Sequence, residues 1–341
     1  MQMVRMSFPP GKILPSILQE VVFKHLGAKR SDVVLGPSIG EDAAIVRVGD
    51  RLLVVSCDPI SGAEERIGWL AVNVSANDVA TRGVRPRWFL PCILLPEGSG
   101  KPVLEEICKQ MDKAAQKLGV AIVRGHSEIT PGISHPLVIG FSAGIAEKGR
   151  YVACARARPG SKIVLTKGAG IEGTAILAAD RHKPLEAEFG EAFVARAKSY
   201  FDLISVYEEA ITAFKYGGVL AMHDPTEGGI SGGLHEMAEA SGTGFKIFAD
   251  QIYISPETRE ICRFFNIDPL KLISSGSLFI AVKPEKAEGV VSKVRKLGVQ
   301  ASIIGEFLED KSMRRIVKDG TVRPLAMPKS DELWAALKRK V

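Results

Sequence analysis

The chain has 341 residues, room for about two domains, and its 46% hydrophobic and 25% charged composition is that of a folded soluble protein, not a disordered or collagenous one. It holds no apolar run of the ~20 residues a membrane-spanning helix needs, and Met1 to Gly11 has no apolar stretch of a secretory signal. Five scattered cysteines without a C-x-x-C pair argue against a disulfide frame or zinc ribbon, and the expected compartment is the cytoplasm.

The net charge of +6 is local: Lys311 to Val341 carries nine basic and three acidic residues. These charges lie on an expected strand and a final helix without interleaved aromatics to stack bases, so no nucleic-acid partner is expected, and no membrane one.

A first helix is expected from Leu14 to Leu26, started by Pro15 and stopped by Gly27, with Ile17, Leu18, Val21, Val22 and Leu26 as its buried stripe. Ala43 to Val48 and Leu52 to Cys57 read as strands around the Gly49-Asp50 turn. Next come a helix over Glu64 to Thr81, a strand Trp88 to Leu95, a helix Val103 to Leu118, and strands Val120 to Val123 and Leu137 to Ala146. Pro159-Gly160 marks a boundary, giving expected domains 1–155 and 156–341. The second half reads as strand Lys162 to Thr166, helix Ile171 to Ala179, and a long helical region Ala192 to Phe214. Strand Val219 to His223, helix Ile230 to Ala240, strand Leu278 to Val282, helix Lys286 to Leu297 and two short strands follow. Alternating strands and helices interrupted by hairpins predict an α/β chain with mixed sheets.

Several motifs sit at element edges. Gly40-Glu41-Asp42-Ala43-Ala44 enters a strand, and Asp58 stands where the strand Leu52 to Cys57 is expected to end. Asp78, beside Asn77, shares a helix face with Ile67, Leu70, Ala71 and Val74. A buried carboxylate needs a partner. Arg82 one turn on is one; Mg²⁺, a hard cation held by carboxylates and substrate phosphates, is the other. Gly125-His126-Ser127-Glu128 could hold a phosphate through its amides and hydroxyl, or be a hydrogen-bonded turn. Gly168-Ala169-Gly170-Ile171-Glu172-Gly173 has dinucleotide-site spacing, but no second parallel strand ending in an acid follows it. His223-Asp224-Pro225-Thr226-Glu227-Gly228-Gly229 opens another helix with more acids and glycines than a cap requires.

In this order the motifs resemble the AIR synthase (PurM) superfamily of ATP-dependent enzymes. Within it the chain looks nearest to the HypE hydrogenase-maturation branch, on the Asp224-Pro225-Thr226-x-Gly228-Gly229 turn and Ile267-Asp268-Pro269-Leu270. The resemblance implies a PurM-like fold of two α/β domains, the N-terminal ones pairing into a β-barrel in a homodimer. It implies ATP and Mg²⁺ as cofactors. Asp42, Asp58 and Asp78 would hold the metal, and Lys12, Gly40, Asn77, Gly125, His126 and Ser127 the nucleotide. Gly168, Gly170, Gly173, Asp224, Thr226 and Gly228 would face the substrate, with Asp42, Asp78 and Glu227 as the catalytic acids. The expected chemistry is phosphorylation of an amide or related oxygen of a small-molecule or carbamoyl-type substrate, with hydrogenase-maturation proteins as partners. The alternatives are a kinase of the thiamine-monophosphate kind and a non-catalytic nucleotide-binding scaffold. HypE enzymes carry their carbamoyl group on a C-terminal cysteine. No cysteine follows Cys262 here, so no protein thiocyanate is expected.

Overall fold

The computed structural model describes residues 8, 10–63 and 65–339. Two seven-stranded mixed sheets, one in each half, organise the chain. The first is built from β1 (Val33–Leu35), β2 (Ala44–Val48), β3 (Arg51–Ile60), β4 (Pro86–Leu95), β5 (Ala121–Ile122), β6 (His126–Ile129) and β7 (Leu137–Glu147). Their order is β1-β2-β3-β7-β4-β5, with β6 also paired to β4. The Gly49-Asp50 turn joins β2 to β3 with Val48 opposite Arg51, the hairpin its two residues imply.

Helices α1 (Pro15–Glu20), α2 (Ile67–Thr81) and α3 (Lys101–Leu118) complete this half. Every residue of α2 is buried, so Asp78 does not stand on a stripe; the helix is apolar all round and runs through the core. Gly68 allows this closeness, because a Cβ there would meet the Ile107 carbonyl of α3 at 2.4 Å.

The second sheet comprises β8 (Lys162–Thr166), β9 (Val219–His223), β10 (Gly244–Phe248), β11 (Leu278–Val282), β12 (Ala301–Leu308), β13 (Arg314–Lys318) and β14 (Thr321–Pro324). The order is β14-β13-β10-β12-β8-β11-β9. Around it lie α4 (Ile171–Asp180), α5 (His182–Phe189), α6 (Glu191–Lys198), α7 (Tyr207–Tyr216), α8 (Gly229–Ser241), α9 (Pro256–Phe265), α10 (Ala287–Arg295) and α11 (Glu332–Lys338). Val164, Leu278, Ile280 and Val282 point into a core shared with α2, α4, α7 and α10. Ile163, Leu165, Phe279 and Ala281 point the other way, into a core with Ile230, Leu234 and Met237 of α8. The mixed sheets and the two α/β halves match the expected fold class.

Three expectations need correction. The helix expected over Leu14 to Leu26 is only α1 followed by a 3-10 turn at Val22–Lys24, and Val21, Val22 and Leu26 are exposed. A short amphipathic helix draws its stability from packing, and of this stripe Ile17 and Leu18 are half-buried while the other three residues are exposed. The helical region expected over Ala192 to Phe214 is broken into α6, a 3-10 turn at Ser199–Leu203 and α7. Its break frees the Val206 N–H to donate to Asn77 Oδ1, which an uninterrupted helix would have used internally. Lastly, β3 runs on to Ile60, so Asp58 lies within a strand and pairs with Gly140 of β7.

Candidate active site

Asp58 shares the side of β3 with Ser56, two residues back, and this is the side that packs on α2. The arrangement brings Asp58 to Asp78. Ser56 Oγ lies 2.9 Å from Asp58 Oδ2 and also touches Asp78 Oδ2. A hydroxyl has one proton to donate, so the second contact needs a proton on a carboxyl. Asp78 is the group that keeps it: burial, then Asp58, Asp224 and Asp42, hold its carboxyl well above the usual range.

Asp224 follows β9 and is 1% exposed. Both its oxygens lack a hydrogen-bond partner. Burial and the neighbouring Asp42 push it up to about 7. Four carboxylates thus converge from β3, α2, the turn before β2 and the turn after β9, one of them orphaned. All-carboxylate donors suit a hard divalent cation such as Mg²⁺, and Asp42, Asp58, Asp78 and Asp224 would hold it by drawing together, since among the described residues no three of them bring their oxygens within 4.8 Å of one another.

Asp42 also belongs to a chain of alternating charge across the two halves, buried except at its Lys12 end, where the side chain is half exposed. Lys12 Nζ lies 3.6 Å from Glu236 Oε1, and Glu236 Oε2 lies 2.9 Å from His223 Nε2. His223 Nδ1 is 2.6 Å from Asp42 Oδ1, and Arg82 Nη2 donates to Asp42 Oδ2 at 2.8 Å. Arg82 continues to Glu41, which accepts from the amides of Cys154 and Ala155. Burial alone would lower the His223 imidazole, but Asp42, Cys154 and Glu236 hold it well above its usual value, so it is a cation. Arg82, one helical turn from Asp78, serves Glu41 and Asp42 instead. Asp42, Cys154 and His223 offer donor atoms within 4.8 Å of one another. The Arg82 guanidinium stands 3.5 Å from Cys154 Sγ and fills the place of a cation.

The other expected site residues fall in four places. Gly40 packs on α8, where a Cβ would meet the Glu236 carbonyl at 2.5 Å; its positive φ of 72° suits glycine as well. Asn77 is fully buried and its amide is engaged at both ends, donating to Ile204 O and accepting from Val206 N. Gly168, Gly170 and Gly173 are buried against Tyr253, Thr258 and Leu272. Gly125, His126 and Ser127 lie apart from the acids: His126 and Ser127 belong to the exposed β6, where His126 Nε2 is 3.0 Å from Glu128 Oε2.

A cavity of about 530 Å³ adjoins the acids, lined among others by Lys12, Asp58, Thr226, Glu227, Glu172, Ser275, Asp331 and Trp334. Glu227 accepts from the Lys12 backbone N–H at 2.9 Å, and the Gly228 N–H donates to Asp331 Oδ2 at 2.6 Å. Glu236, Ser275, Asp331 and Trp334 escaped sequence reasoning. No short-range pattern marks them: Glu236 sits mid-way along α8, and Ser275, Asp331 and Trp334 reach the site from elements far along the chain.

Two family models match the sequence: the N-terminal domain of AIR synthase related proteins over residues 40–146, and their C-terminal domain over residues 158–318. The chain belongs to the AIR synthase related family. A Methanocaldococcus jannaschii protein, provisionally described as a hydrogenase expression/formation protein, is 31% identical over 312 residues, covering 89% of this chain and 90% of its own length. The carbamoyl dehydratase HypE of Escherichia coli is 29% identical over 299 residues, 85% of this chain and 86% of that protein. A crystal structure of HypE in complex with ATP shares the fold, with TM-score 0.71 and 22% identity, covering 96% of this chain and 98% of that one. Among the described residues no helix is long and apolar enough to cross a membrane.

Proposed function

We propose that this protein is an ATP- and Mg²⁺-dependent enzyme of the HypE-like group that phosphorylates an amide or related oxygen, in hydrogenase maturation or a kindred step. The observation that carries the reading is the convergence of Asp42, Asp58, Asp78 and Asp224, with Asp224 buried and unpartnered. The names of the relatives, carbamoyl dehydratase HypE and HypE in complex with ATP, support the same reading. Mg²⁺ bound at the acids would neutralise phosphate charge as it shifts in the transition state.

The chain's own residues divide the remaining work. Asp42 is fixed by His223 and Arg82, which take one oxygen each and keep its carboxylate ionised. Lys12 brings a cation to the mouth of the cavity, where nucleotide phosphates would meet it. Glu227, on the turn before α8, is placed to hold the acceptor or its proton. Gly40 and Asn77 keep the two halves in register, and Gly125, His126 and Ser127 remain candidates for the nucleotide's far end. Cys262 is a poor carrier for a carbamoyl group: burial pushes its thiol up to about 12.

Dimerisation belongs to the same proposal. One face of the first sheet is covered by α2, while Leu53, Val55, Leu90, Leu94, Ile139 and Phe141 on the other are half-exposed. An apolar sheet face of this breadth calls for a second copy. The test of function is calorimetry with MgATP and with ATP in excess EDTA, on wild type and Asp78→Asn. Binding should require Mg²⁺ and weaken at least tenfold, about 1.4 kcal/mol, in the variant. Equal affinity in all cases, with the fold intact, would overturn the metal assignment.

A further inference from the structure

Four buried polar atoms without a hydrogen-bond partner, Glu172 Oε2, Thr226 Oγ1, Ser275 Oγ and Trp334 Nε1, all belong to residues lining the same 530 Å³ cavity. Glu172 is 4% exposed and Ser275 1%. Orphaned buried atoms of this kind are rare in folded proteins, where such groups ordinarily find a partner. Here they are gathered beside the acid cluster.

The other charged groups of the wall are already engaged. Asp331 accepts from the Leu333 and Gly228 amides, Glu227 from the Lys12 amide, and Asp58 from Ser56. Lys12 is drawn to Glu236. Among the described residues, Glu172 is the carboxyl of this wall with a buried oxygen that has no hydrogen-bond partner, and the Ser275 hydroxyl stands beside it and tempers its rise. Ile60, Val74, Leu137 and Ile176 supply an apolar side to the same cavity. A ligand anion there would face the carboxyls of Asp58, Glu172, Glu227 and Asp331. A compact cation would meet Glu172, two hydroxyls able to accept, and the Trp334 ring.

We propose that this wall recognises the acceptor substrate, a compact molecule with an amidinium or ammonium group bound by Glu172, Ser275 and Thr226 and an apolar body. The Trp334 N–H suits an acceptor oxygen on the same molecule. This inference deepens the phosphoryl-transfer reading and rests on it for the ligand's role, though not for its charge. Burial also pushes Glu172 up to about 7, a cost that a bound cation relieves.

The test uses three near-isosteric probes on the full chain: benzamidine, benzamide and benzoate, titrated by calorimetry, with MgATP titrated separately. Benzamidine should bind at least tenfold more tightly than benzoate, with benzamide between them. Glu172→Gln should remove that preference while leaving MgATP affinity within about twofold. Ser275→Ala, a smaller change that keeps Glu172, should weaken benzamidine about fivefold, the loss of one hydrogen bond. Benzoate binding as tightly as benzamidine, no binding of any probe, or unchanged benzamidine affinity in a folded Glu172→Gln protein would overturn the proposal. Failure of MgATP to bind wild type, with the benzamidine preference intact, would sink the phosphoryl-transfer reading alone.

Discussion

The two sheets differ in what lies against them. Alternate residues of β11 enter two separate cores, and all five are buried. Alternate residues of β3 and β7 are buried on the α2 side and half-exposed on the other. The second sheet is finished within one chain; the first has an apolar face left over. The difference teaches how function is divided. Acids from both halves meet where the sheets' helices join, whereas the open face is free to serve assembly.

A matched pair of substitutions sharpens this contrast and should give the largest effect. Phe279→Glu buries an unpaired carboxylate in β11 and should prevent folding, read as loss of soluble protein or of a cooperative melting transition. Phe141→Glu in β7 places the same charge on the half-exposed face. It should leave a folded protein whose mass by light scattering is the monomer's 36.7 kDa rather than twice that. If Phe141→Glu fails to fold like Phe279→Glu, the two faces are alike and the comparison breaks.

The joint between the halves is the next target. Arg82 has no exposed surface, bonds Glu41 and Asp42, and donates to Met222 O across the boundary. Arg82→Met keeps much of its volume but leaves Glu41 without a cation and Asp42 with His223 alone. It should cost about 3–5 kcal/mol in denaturant unfolding. A loss below about 1 kcal/mol would mean that the carboxylates find other partners and the charge chain is not the clamp.

Asp224 should behave in the opposite way. Its folded pKa of about 7 lies above that of an unfolded aspartate. The associated stability is therefore fully present below about pH 4 and is lost as pH rises through about 7. Asp224→Asn removes that loss. The metal-free variant should melt a few degrees above wild type at pH 8, and the gap should shrink at pH 6. The same variant should bind MgATP at least tenfold more weakly, so stability and affinity move apart. A variant less stable than wild type at pH 8 would show that the Asp224 carboxylate has a partner in solution.

Much of the frame was legible in the sequence because it is local. The Gly49-Asp50 hairpin, the strand ending at His223 and the glycine-led start of α8 each depend on a few neighbouring residues. The acids were also visible, since carboxylates in or beside apolar runs stand out, even though Asp58 and Asp78 lie inside β3 and α2. The pairings were not. Arg82 sits one helical turn from Asp78 yet serves Glu41 and Asp42, and His223 meets Asp42 from the other half of the chain. Period and propensity carry no information on such contacts, which the packing of α2 between the two layers decides. Asn77 shows the same limit: it neighbours Asp78 in sequence, but its amide joins α2 to the loop before α7.

The smallest expected effect concerns β6, the edge most unlike the buried acids. His126 lies on an exposed strand, and the side chain it meets among the described residues, Glu128, is exposed as well. Surface pairs of this kind contribute little to stability, so His126→Ala should leave the unfolding midpoint within about 2 °C of wild type. If the segment holds the far end of the nucleotide, MgATP affinity should still fall about threefold to tenfold, through lost ground-state contacts rather than lost folding. The two readouts separate its possible roles. Unchanged melting with weakened MgATP places β6 at the nucleotide, and because β6 lies apart from the acids, that weakening should disappear in the monomeric Phe141→Glu background if a second copy supplies the contact. Unchanged melting with unchanged affinity would remove Gly125, His126 and Ser127 from the site and leave nucleotide binding to the acids, Lys12 and the cavity between the halves.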